Sequence, residues 1–521
     1  KSCTKSDTYW YAGDKCSVID LLSMWRDSTD LDELADRARC IGGSYAFIAA
    51  TDQGILAATD HCNSWPVFYS FSRHGKFVIS SDAKKLKQRL NLSAFDPDSI
   101  IEAKTSGYVF SNRTLYLGLK QLRPGEIVYR SHMGDLAFKR SFYYDPVSGP
   151  SSSHEINVND HVRRLGVAID IAIDDVINTA NGAPIFVPLS GGLDSRLIVT
   201  KLHARSYDNL VTFSYGPPGN SEAKAAQKIA EHLSLPWTYI STTHSETQKF
   251  HNSTICKEYS AYVDNYYSVP NYQDILPLIK LRDFGQLPND SVVVNGQTGD
   301  FISGGHIPKN FFCNPRHSVV SAIIDQHCSL WPSLLDASAR GYLERTISKE
   351  LDTFEQSVDS RSVGFRASQF ERWEYENRQS KFILNGQKCY DFLGLKWRLP
   401  LWHIAVVEEF NKTPLALRMD QSLYLSYLDS WNYMDLFTGF KPMIKAWNPL
   451  LNSIIVPISI LMRISFGRER RDKAMKFARY LDRYGNHYGA FGLSNFLKNA
   501  CEIRNPISLY SEKWLRSLGI F

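Results

Sequence analysis

The sequence lacks the features that mark several common classes of protein. Its nine cysteines include no Cys-x-x-Cys pair, which argues against a structural zinc site and against a disulfide framework. No apolar run reaches the roughly 18 residues that a membrane-spanning helix needs. The net charge is only +5 over 521 residues, so no nucleic-acid partner is expected. These absences favour a globular protein with reduced thiols.

The first residues predict a protein without a secretory signal. Lys1 is followed by polar residues rather than by an apolar core, and the initiator Met is absent. We therefore expect a cytoplasmic protein whose N-terminus has been processed or trimmed.

One apolar stretch near the end, residues 454–471, is followed by basic residues and is interrupted by Pro457 and Arg463. It is too short to span a bilayer. It predicts either a buried core helix or a helix in weak contact with the membrane interface.

The most informative feature is an apolar run that ends in a glycine turn. Residues 185–189 predict a strand, residues 190–195 read Ser-Gly-Gly-Leu-Asp-Ser, and a helical pattern follows at once. Such a corner presents free backbone N–H groups and the positive end of a helix dipole to an anion. Ser190 and Ser195 offer hydroxyls, and Asp194 offers a ligand for Mg²⁺. The Gly-Lys-Ser/Thr of a Walker loop is absent. The alternative is a turn that only joins a strand to a helix.

The hexapeptide resembles the pyrophosphate (PP) loop of the ATP pyrophosphatases. This superfamily includes asparagine, GMP and NAD synthetases and the tRNA-thiolating enzymes. Its members cut ATP between the α and β phosphates and leave AMP on the substrate. The resemblance therefore implies ATP and Mg²⁺ as cofactors.

A second predicted strand ends in a similar way. Residues 291–295 read as a short buried strand, which opens into a loop, 296–300, that ends in an acidic residue. In a parallel sheet the loops of neighbouring strands meet, so Asp300 is expected near Asp194. Two carboxylates that face a triphosphate form a reasonable magnesium clamp. The alternative for Asp300 is a helix cap.

The pattern along the chain predicts two domains. Residues 43–141 read as antiparallel hairpins, and 145–154 read as a linker rich in Pro, Gly and Ser. Strands then alternate with helices, which predicts a mostly parallel sheet, and the pattern is mainly helical from about residue 315. We expect domains at 1–148 and 155–521.

Further motifs resemble class B asparagine synthetases, and especially the asparagine-synthetase-like proteins of bacterial surface-polysaccharide gene clusters. They are the loop at 295–306, the Trp-Arg-Leu-Pro-Leu-Trp of 397–402, and N-terminal stretches at 42–48, 58–69, 78–83 and 122–126. The resemblance covers roughly residues 40–425. It implies a degenerate antiparallel β sandwich of the N-terminal-nucleophile (Ntn) amidotransferase type. An adenine-nucleotide α hydrolase-like doubly wound parallel sheet with a helical extension would follow it.

The resemblance also implies roles for individual residues. Asp194 and Asp300 would bind the metal, and together with Gln297 they would form the catalytic group. The residues expected to bind the nucleotide are Pro188, Leu189, Ser190, Gly191, Gly192, Leu193, Asp194, Ser195, Ser214, Tyr215, Asn295 and Gly296.

Several departures from the family affect the expected chemistry. Gln297 stands where the family has a glutamate proposed to deprotonate ammonia, and an amide is not a base at neutral pH. No lysine occurs at 420–424, where the family lysine is expected. Cys3 is internal, the family's Asn-Gly-Glu-Ile-Tyr segment is missing, and few residues precede the first matched strand. We therefore expect that the first domain has lost glutamine hydrolysis.

Two other groups have open alternatives. His306 is expected either to face the substrate or to be a structural histidine. The segment 377–381, Asn-Arg-Gln-Ser-Lys, is expected either to contribute a substrate-binding cation or to form a solvated helix face.

The expected function is an ATP-dependent ligase that adenylates a carboxylate, such as a sugar acid, and transfers the acyl group to ammonia or another amine. The pathway would be surface-polysaccharide or specialised-metabolite biosynthesis. The amine would come from solution or from a separate ammonia-supplying protein. One alternative is a lactam-forming cyclase that uses the same adenylate, and the other is a degenerate nucleotide-binding scaffold.

Overall fold

The computed structural model describes residues 8–13, 30–40, 43–142, 144–146, 157–314, 317–354, 362–439, 488–499 and 504–521, with isolated residues at 19–25, 457–477 and 502. Within these ranges no helix combines the length and the apolar character that a bilayer crossing requires. Cys3, most of the segment 145–154 and half of the segment 454–471 lie outside the described residues. The domain division and the membrane contact therefore stay predictions.

Antiparallel strands dominate the first part of the chain. The strands are β1 Thr8–Gly13, β2 Tyr45–Thr51, β3 Gly54–Thr59, β4 Phe68–Phe71, β5 Phe77–Ser80, β6 Lys120–Gln121, β7 Glu126–Ser131 and β8 Leu136–Arg140. They form a five-stranded sheet, ordered β1-β2-β3-β7-β8, and a three-stranded sheet, ordered β5-β4-β6. Ala57, Tyr69 and Val128 are buried in a core that both sheets share. The predicted antiparallel N-terminal part is confirmed.

Three helices accompany these sheets: α1 Leu31–Cys40, α2 Ala83–Leu90 and α3 Pro97–Ser106. Helix α2 shows how the sequence sets such bounds. The side chain of Asp82 accepts hydrogen bonds from the N–H groups of Lys84 and Lys85 at 2.9 and 3.0 Å, and Asn91 ends the helix in the left-handed conformation.

A parallel sheet forms the centre of the second part. Its strands are β9 Ile185–Pro188, β10 Leu210–Gly216, β11 Trp237–Ser241, β12 Val292–Val294 and β13 Lys396–Arg398. Their order is β11-β10-β9-β12-β13, and every pair is parallel. After β9 the chain adds β10 and β11 on one side of this strand, and later adds β12 and β13 on its other side. The strand order therefore reverses at β9. A crevice opens at such a switch point, beyond the carboxyl ends of the strands.

Helices α4 Val158–Ala180, α5 Leu193–Ala204, α6 Ser221–His232, α7 His244–His251, α8 Thr254–Val263, α9 Ile275–Asp283 and α10 Gly299–Ile302 alternate with or follow these strands. The first of them has a regular apolar spacing. Leu165, Ile169 and Ile173 lie one turn apart and are buried in the same core as Ile185 of β9. The predicted alternation of strands and helices is confirmed.

The described chain after residue 310 is helical apart from β13. Its α-helices are α11 Asn310–Cys313, α12 Val319–His327, α13 Ala337–Leu351, α14 Val363–Glu374, α15 Lys388–Phe392, α16 Ile404–Lys412, α17 Leu415–Arg418, α18 Ser422–Trp431, α19 Tyr488–Phe491, α20 Leu493–Lys498 and α21 Pro506–Ser517. Short 3₁₀ turns occur at Pro332–Leu334, Leu384–Gln387, Pro400–Trp402, Met419–Gln421 and Tyr433–Asp435. A π-helix over Tyr375–Ile383 follows α14 directly. Such helices are rare and are often found at functional sites.

Buried contacts join the antiparallel part to the rest of the chain. The rings of Trp65 and Trp397 lie 5.4 Å apart, and those of Tyr144 and Tyr375 stack at 4.8 Å. At the other end, the hydroxyl of Ser511 in α21 donates to the carbonyl of Ala103 in α3. The strand β13 and the π-helix are therefore held from the antiparallel side.

Candidate active site

The loop between β9 and α5 has the conformation of a strand-to-helix corner. The N–H of Ser190 donates to Ser195 Oγ, and the N–H of Gly192 donates to Ser190 Oγ, both at 3.1 Å. Gly192 precedes α5, and no side chain caps this helix start. The first turn of α5 therefore offers backbone N–H groups and the positive end of its dipole to an anion.

The loop after β12 packs directly on Asp194. A Cβ atom placed on Gly296 would lie 2.6 Å from Asp194 Cβ, and one placed on Gly299 would lie 2.6 Å from Asp194 Cγ. Both glycines are therefore required by close approach rather than by backbone conformation. Asp300 is the next residue along the chain, so the structure brings the two predicted carboxylates to adjacent loops.

Thr298, between these two glycines, has a strained backbone. Its φ of 76° lies in the left-handed region, which a β-branched residue rarely adopts. Its hydroxyl is buried and has no hydrogen-bond partner among the described residues. Strained and unsatisfied groups of this kind concentrate at functional sites.

The pKa of the Asp194 carboxyl is strongly raised. Burial is the largest cause and the negative charge of Asp300 adds to it, whereas a 2.8 Å hydrogen bond from the hydroxyl of Tyr424 opposes it. The resulting pKa of Asp194 is about 7. A cation bound between the two carboxylates would favour the ionised form of Asp194 and so lower its pKa.

Asp300 is paired with His306, which is itself anchored by a buried carboxylate. His306 Nε2 lies 3.1 Å from Asp300 Oδ2, and His306 Nδ1 lies 2.7 Å from Oε1 of Glu374, which is fully buried. Burial alone would lower the pKa of His306, but Glu374 and Asp300 together raise it to about 10. Both ring nitrogens are thus engaged by carboxylates, and this favours the structural alternative for His306.

Arg378 also contacts Glu374. Its Nη1 lies 3.0 Å from Glu374 Oε1. Lys381, on the same π-helix, is buried and donates through Nζ to the backbone carbonyls of Val109 and Ser111. Neither cation of the 377–381 segment lines the crevice beside β9.

A cleft of about 310 Å³ lies at this crevice. Most residues expected to bind the nucleotide line it, namely Pro188, Leu189, Ser190, Gly192, Asp194, Ser195, Ser214, Tyr215, Asn295 and Gly296, together with Gln297. Two expected residues do not. Gly191 faces Ala225 instead, and Leu193 packs against the core.

Comparisons with known proteins match the part of the chain that contains this cleft. Residues 176–430 match the family model described as asparagine synthase. The region is asparagine synthetase-like. Asparagine synthetase B (glutamine-hydrolyzing) of Escherichia coli K12 is 25% identical over 322 residues, which are 58% of this chain and 49% of that protein. The chain thus spans about half the length of the curated relative that it matches.

Two solved structures give weaker matches. Glutamine phosphoribosylpyrophosphate amidotransferase from B. subtilis, complexed with ADP and GMP, is 13% identical over 58% of each chain, with a TM-score of 0.16. A structure of the allosteric regulatory enzyme of purine biosynthesis is 14% identical over 56% of this chain and 54% of that one, also with a TM-score of 0.16. We draw no conclusion from scores this low.

Within the asparagine synthetase-like region, Gln297 is held in place by neighbouring amides. Its side-chain carbonyl accepts a hydrogen bond from Gln387, whose own carbonyl accepts from Asn295 Nδ2 at 3.0 Å. The N–H of Gln297 donates to Asn295 Oδ1 at 3.1 Å. This network fixes an amide at the cleft wall, where it can orient a substrate but cannot take a proton.

Two groups that contact expected site residues were missed by sequence reasoning, Asp274 and Tyr424. Asp274 accepts hydrogen bonds from the hydroxyls of Tyr215 and Tyr390, and burial raises its pKa. Asp274 and Tyr215 both line the cleft. Tyr424 reaches Asp194 from α18. Asp274 lies just before α9 and reads in the sequence as an ordinary helix cap, although no such cap is formed.

The segment 418–424 of the asparagine synthetase-like region brings no cation to the cleft. Arg418 is fully buried and lies 3.3 Å from Glu371, while Asp420 pairs with Lys309 at the surface. Among the described residues that line the cleft, none is a lysine or an arginine. The described residues of the cleft wall therefore include no substitute for the expected lysine.

Proposed function

We propose that this chain is an ATP-dependent, AMP-forming ligase that adenylates a substrate carboxylate and transfers the acyl group to ammonia or another amine. One observation carries the proposal: Gly296 and Gly299 press the second loop onto Asp194. This packing holds Asp194 and the uncapped helix start at the cleft beside the switch point of the sheet, with Asp300 on the adjoining loop. The match of residues 176–430 to the asparagine synthase family supports the same chemistry.

The residues present fit a magnesium–nucleotide complex. Mg²⁺ prefers carboxylate oxygens together with phosphate oxygens, and Asp194 and Asp300 supply two carboxylates on adjacent loops. Each carboxylate retains lone pairs beyond its bonds to Tyr424 and His306. When bound there, Mg²⁺ would neutralise negative charge on the departing pyrophosphate.

The residues of the chain would act on the polyphosphate and the acyl group in sequence. A substrate carboxylate oxygen attacks the α phosphorus, and the bond between the α phosphorus and its bridging oxygen breaks. The N–H groups at 190–194 would stabilise the charge that develops on the leaving pyrophosphate. The amine nitrogen then attacks the acyl carbon, AMP leaves with the bonding electron pair, and the amine loses a proton. Gln297 would orient the acyl group, and another group must accept that proton.

We further propose that the carboxylate belongs to a sugar acid, of the uronic or nonulosonic class. The cleft is lined by hydroxyl and amide groups, among them Ser190, Ser195, Asn220, Gln273 and Asn295. Such groups match the hydroxyls of a sugar. This assignment follows the resemblance to proteins of surface-polysaccharide clusters, and consumption of ATP agrees with the expected cytoplasmic location.

The amine is proposed to arrive as free ammonia or as a larger amine. Cys62 is the cysteine of the antiparallel part whose side chain the structure describes. It is buried, and burial together with Asp60 raises its pKa well above the ordinary value. A thiol held in this way is a poor nucleophile, so it does not supply glutamine hydrolysis.

Exchange of labelled pyrophosphate into ATP tests the proposal. The full chain is assayed with Mg²⁺ and a panel of uronic, nonulosonic and amino acids, beside the Asp194→Asn variant and Asp208→Asn as an exposed control. We expect exchange with at least one acid, its loss in Asp194→Asn, and wild-type exchange in Asp208→Asn. Nucleotide binding without exchange on any acid would favour the scaffold alternative, which the absence of a lysine or arginine from the described cleft residues supports. A product that lacks the added amine would indicate the lactam-forming cyclase.

A further inference from the structure

A second cleft, of about 340 Å³, lies between the antiparallel part and helix α13. Its walls come from residues 111–123, from α13 and the turn after it, and from the π-helix. It shares no lining residue with the cleft beside Asp194. Its volume is at the lower end of the range for small-molecule sites. The proposed function leaves this cleft without a role.

Two of the charged side chains in the second cleft are already compensated by ion pairs. Arg113 pairs with Glu102 and lies 3.5 Å from Asp96. Glu376 lies 3.2 Å from Arg140. These pairs help to fix the walls, and the remaining charged side chains of the cleft are free to meet a ligand.

Two cations in the cleft have no ion pair with any described residue. Arg123 is half-buried, donates through Nη2 to Ser111 Oγ at 2.9 Å, and keeps a buried Nε without a partner in the described chain. Lys349 is exposed at the rim, as is Asp98. An unpaired guanidinium beside an ammonium is typical of sites that bind a carboxylate.

Glu350 lines the same cleft and has no ion pair with either cation. Glu350 Oε2 accepts hydrogen bonds from Trp373 Nε1 at 2.8 Å and from Asn377 Nδ2 at 3.2 Å. Burial raises the pKa of Glu350, and the positive charges of Lys381 and Arg123 oppose that effect. Arg123 therefore attracts Glu350 across the cleft, although no side-chain nitrogen of Arg123 lies within 4 Å of a carboxylate oxygen of Glu350.

A ligand with a single charge would not suit this arrangement. An anion alone would face Glu350, and a cation alone would face Arg123 and Lys349, and either juxtaposition is unfavourable in a half-buried site. A small zwitterion satisfies both ends, because each of its charges meets a group of opposite sign.

We propose that the second cleft binds a free α-amino acid, with its carboxylate on Arg123 and Lys349 and its ammonium group on Glu350. Asn112 and Thr346 also line the cleft; Asn112 Nδ2 donates to the hydroxyl of Tyr69 at 3.0 Å, which leaves its side-chain oxygen as an acceptor for the side chain of the ligand. This site is separate from the nucleotide cleft and does not depend on the ligase reaction.

Binding to the full-length chain, measured by ligand-detected NMR and calorimetry, tests the proposal. The twenty standard amino acids are screened at about 10 mM, an upper limit for a useful site. The best ligand is then compared with its N-acetyl form, which lacks the ammonium group, and with its carboxamide, which lacks the carboxylate. We expect each capped form to bind about tenfold or more weakly than the free amino acid. Equal binding of the N-acetyl form would identify a simple anion site and overturn the proposal, as would no binding of any amino acid.

Matched variants locate the binding. Arg123→Gln and Glu350→Gln should each weaken affinity about tenfold. Lys349→Ser should weaken it without any effect on the core, because this side chain is exposed. Arg345→Ser, an exposed cation of the same helix outside the cleft, should bind as the wild type does. Unfolding temperatures confirm that each variant is folded.

The Asp194→Asn variant separates this site from the nucleotide cleft. It should retain amino-acid binding even if it abolishes pyrophosphate exchange. Loss of binding in Asp194→Asn, or its retention in both Arg123→Gln and Lys349→Ser, would place the amino acid elsewhere and overturn the proposal.

Discussion

The hydroxyl of Tyr424 donates a 2.8 Å hydrogen bond to Oδ1 of Asp194, although 230 residues separate the two in the chain. The bond joins helix α18 to the start of helix α5. It opposes the effects of burial and of Asp300, which raise the pKa of Asp194 to about 7. The carboxyl of Asp194 is therefore only partly ionised at neutral pH, and the hydrogen bond from Tyr424 increases the ionised fraction.

Tyr424→Phe should raise the pKa of Asp194 further and weaken binding of Mg²⁺–nucleotide at pH 7, with recovery at higher pH where the carboxyl ionises. It should also lower the free energy of unfolding by about 1–3 kcal/mol, because a hydrogen bond to a charged group is lost. Tyr427→Phe is the matched control, since this buried hydroxyl one turn along α18 has no partner among the described residues. Equal effects of the two variants on nucleotide binding would contradict the account.

Gly299→Ala should disrupt the site sterically. The added methyl would lie 2.6 Å from Asp194 Cγ and 2.6 Å from Leu401 Cδ1. We expect a loss of about 1–3 kcal/mol in stability, typical of overpacking, and loss of nucleotide binding. Gly341→Ala, inside α13, has its nearest neighbour at 3.5 Å and should gain up to about 1 kcal/mol. Chemical denaturation measures the change in stability of both variants. If Gly299→Ala does not change the stability, the two loops are not packed as described.

The raised pKa of Asp194 predicts how stability depends on pH. Its folded pKa of about 7 exceeds the unfolded value of about 3.9, so the folded state holds a proton that the unfolded state releases. This contribution to stability is present below pH ~4 and is lost as pH rises through about 7.

Asp194→Asn cannot ionise and should escape that loss. Its stability relative to the wild type should therefore increase between pH ~4 and 7, by on the order of 2–4 kcal/mol, when no nucleotide is present. Thermal unfolding across this range measures the difference. If the stabilities of the two proteins depend on pH in the same way, the pKa of Asp194 is not raised.

His306 predicts a second window, at higher pH. Its folded pKa of about 10 exceeds the unfolded value of about 6.5. The stability that it gains from Glu374 and Asp300 is fully present below pH ~6.5 and is lost as pH rises through about 10.

His306→Gln should cost about 1.5–3 kcal/mol at pH 6, because buried Glu374 loses a charged partner. The difference in the free energy of unfolding between this variant and the wild type should become steadily smaller as the pH is raised to 9. His132→Gln, at an exposed turn, controls for replacement of a histidine. A gap at His306 that does not change with pH would argue that the imidazole is neutral in the folded protein.

The sequence was most informative where a local pattern is enough to determine structure. The apolar run before residue 190 and the glycines after it predicted the β9–α5 corner, because strand ends, glycine turns and helix starts are set by neighbouring residues. The same holds for β12 and its loop. The antiparallel hairpins were also predicted, since their turns carry glycine.

Contacts that depend on tertiary structure could not be predicted. Tyr424 and Asp274 reach the site from helices far along the chain, and no spacing in the sequence relates them to Asp194 or Tyr215. Strand β6 has only two residues, too few for a pattern. The π-helix at Tyr375–Ile383 was also missed, because its hydrogen bonds depend on packing between the two parts of the molecule.

The central claim is that the corner at 190–195 holds the polyphosphate of ATP. Its most direct test is an experimental structure of the full chain with Mg²⁺ and the non-hydrolysable analogue α,β-methylene ATP. The account predicts phosphate oxygens on the N–H groups of residues 190–194, and a metal ion about 2.1 Å from oxygens of Asp194 and Asp300. A nucleotide bound elsewhere, or a metal ion that contacts neither carboxylate, would contradict it.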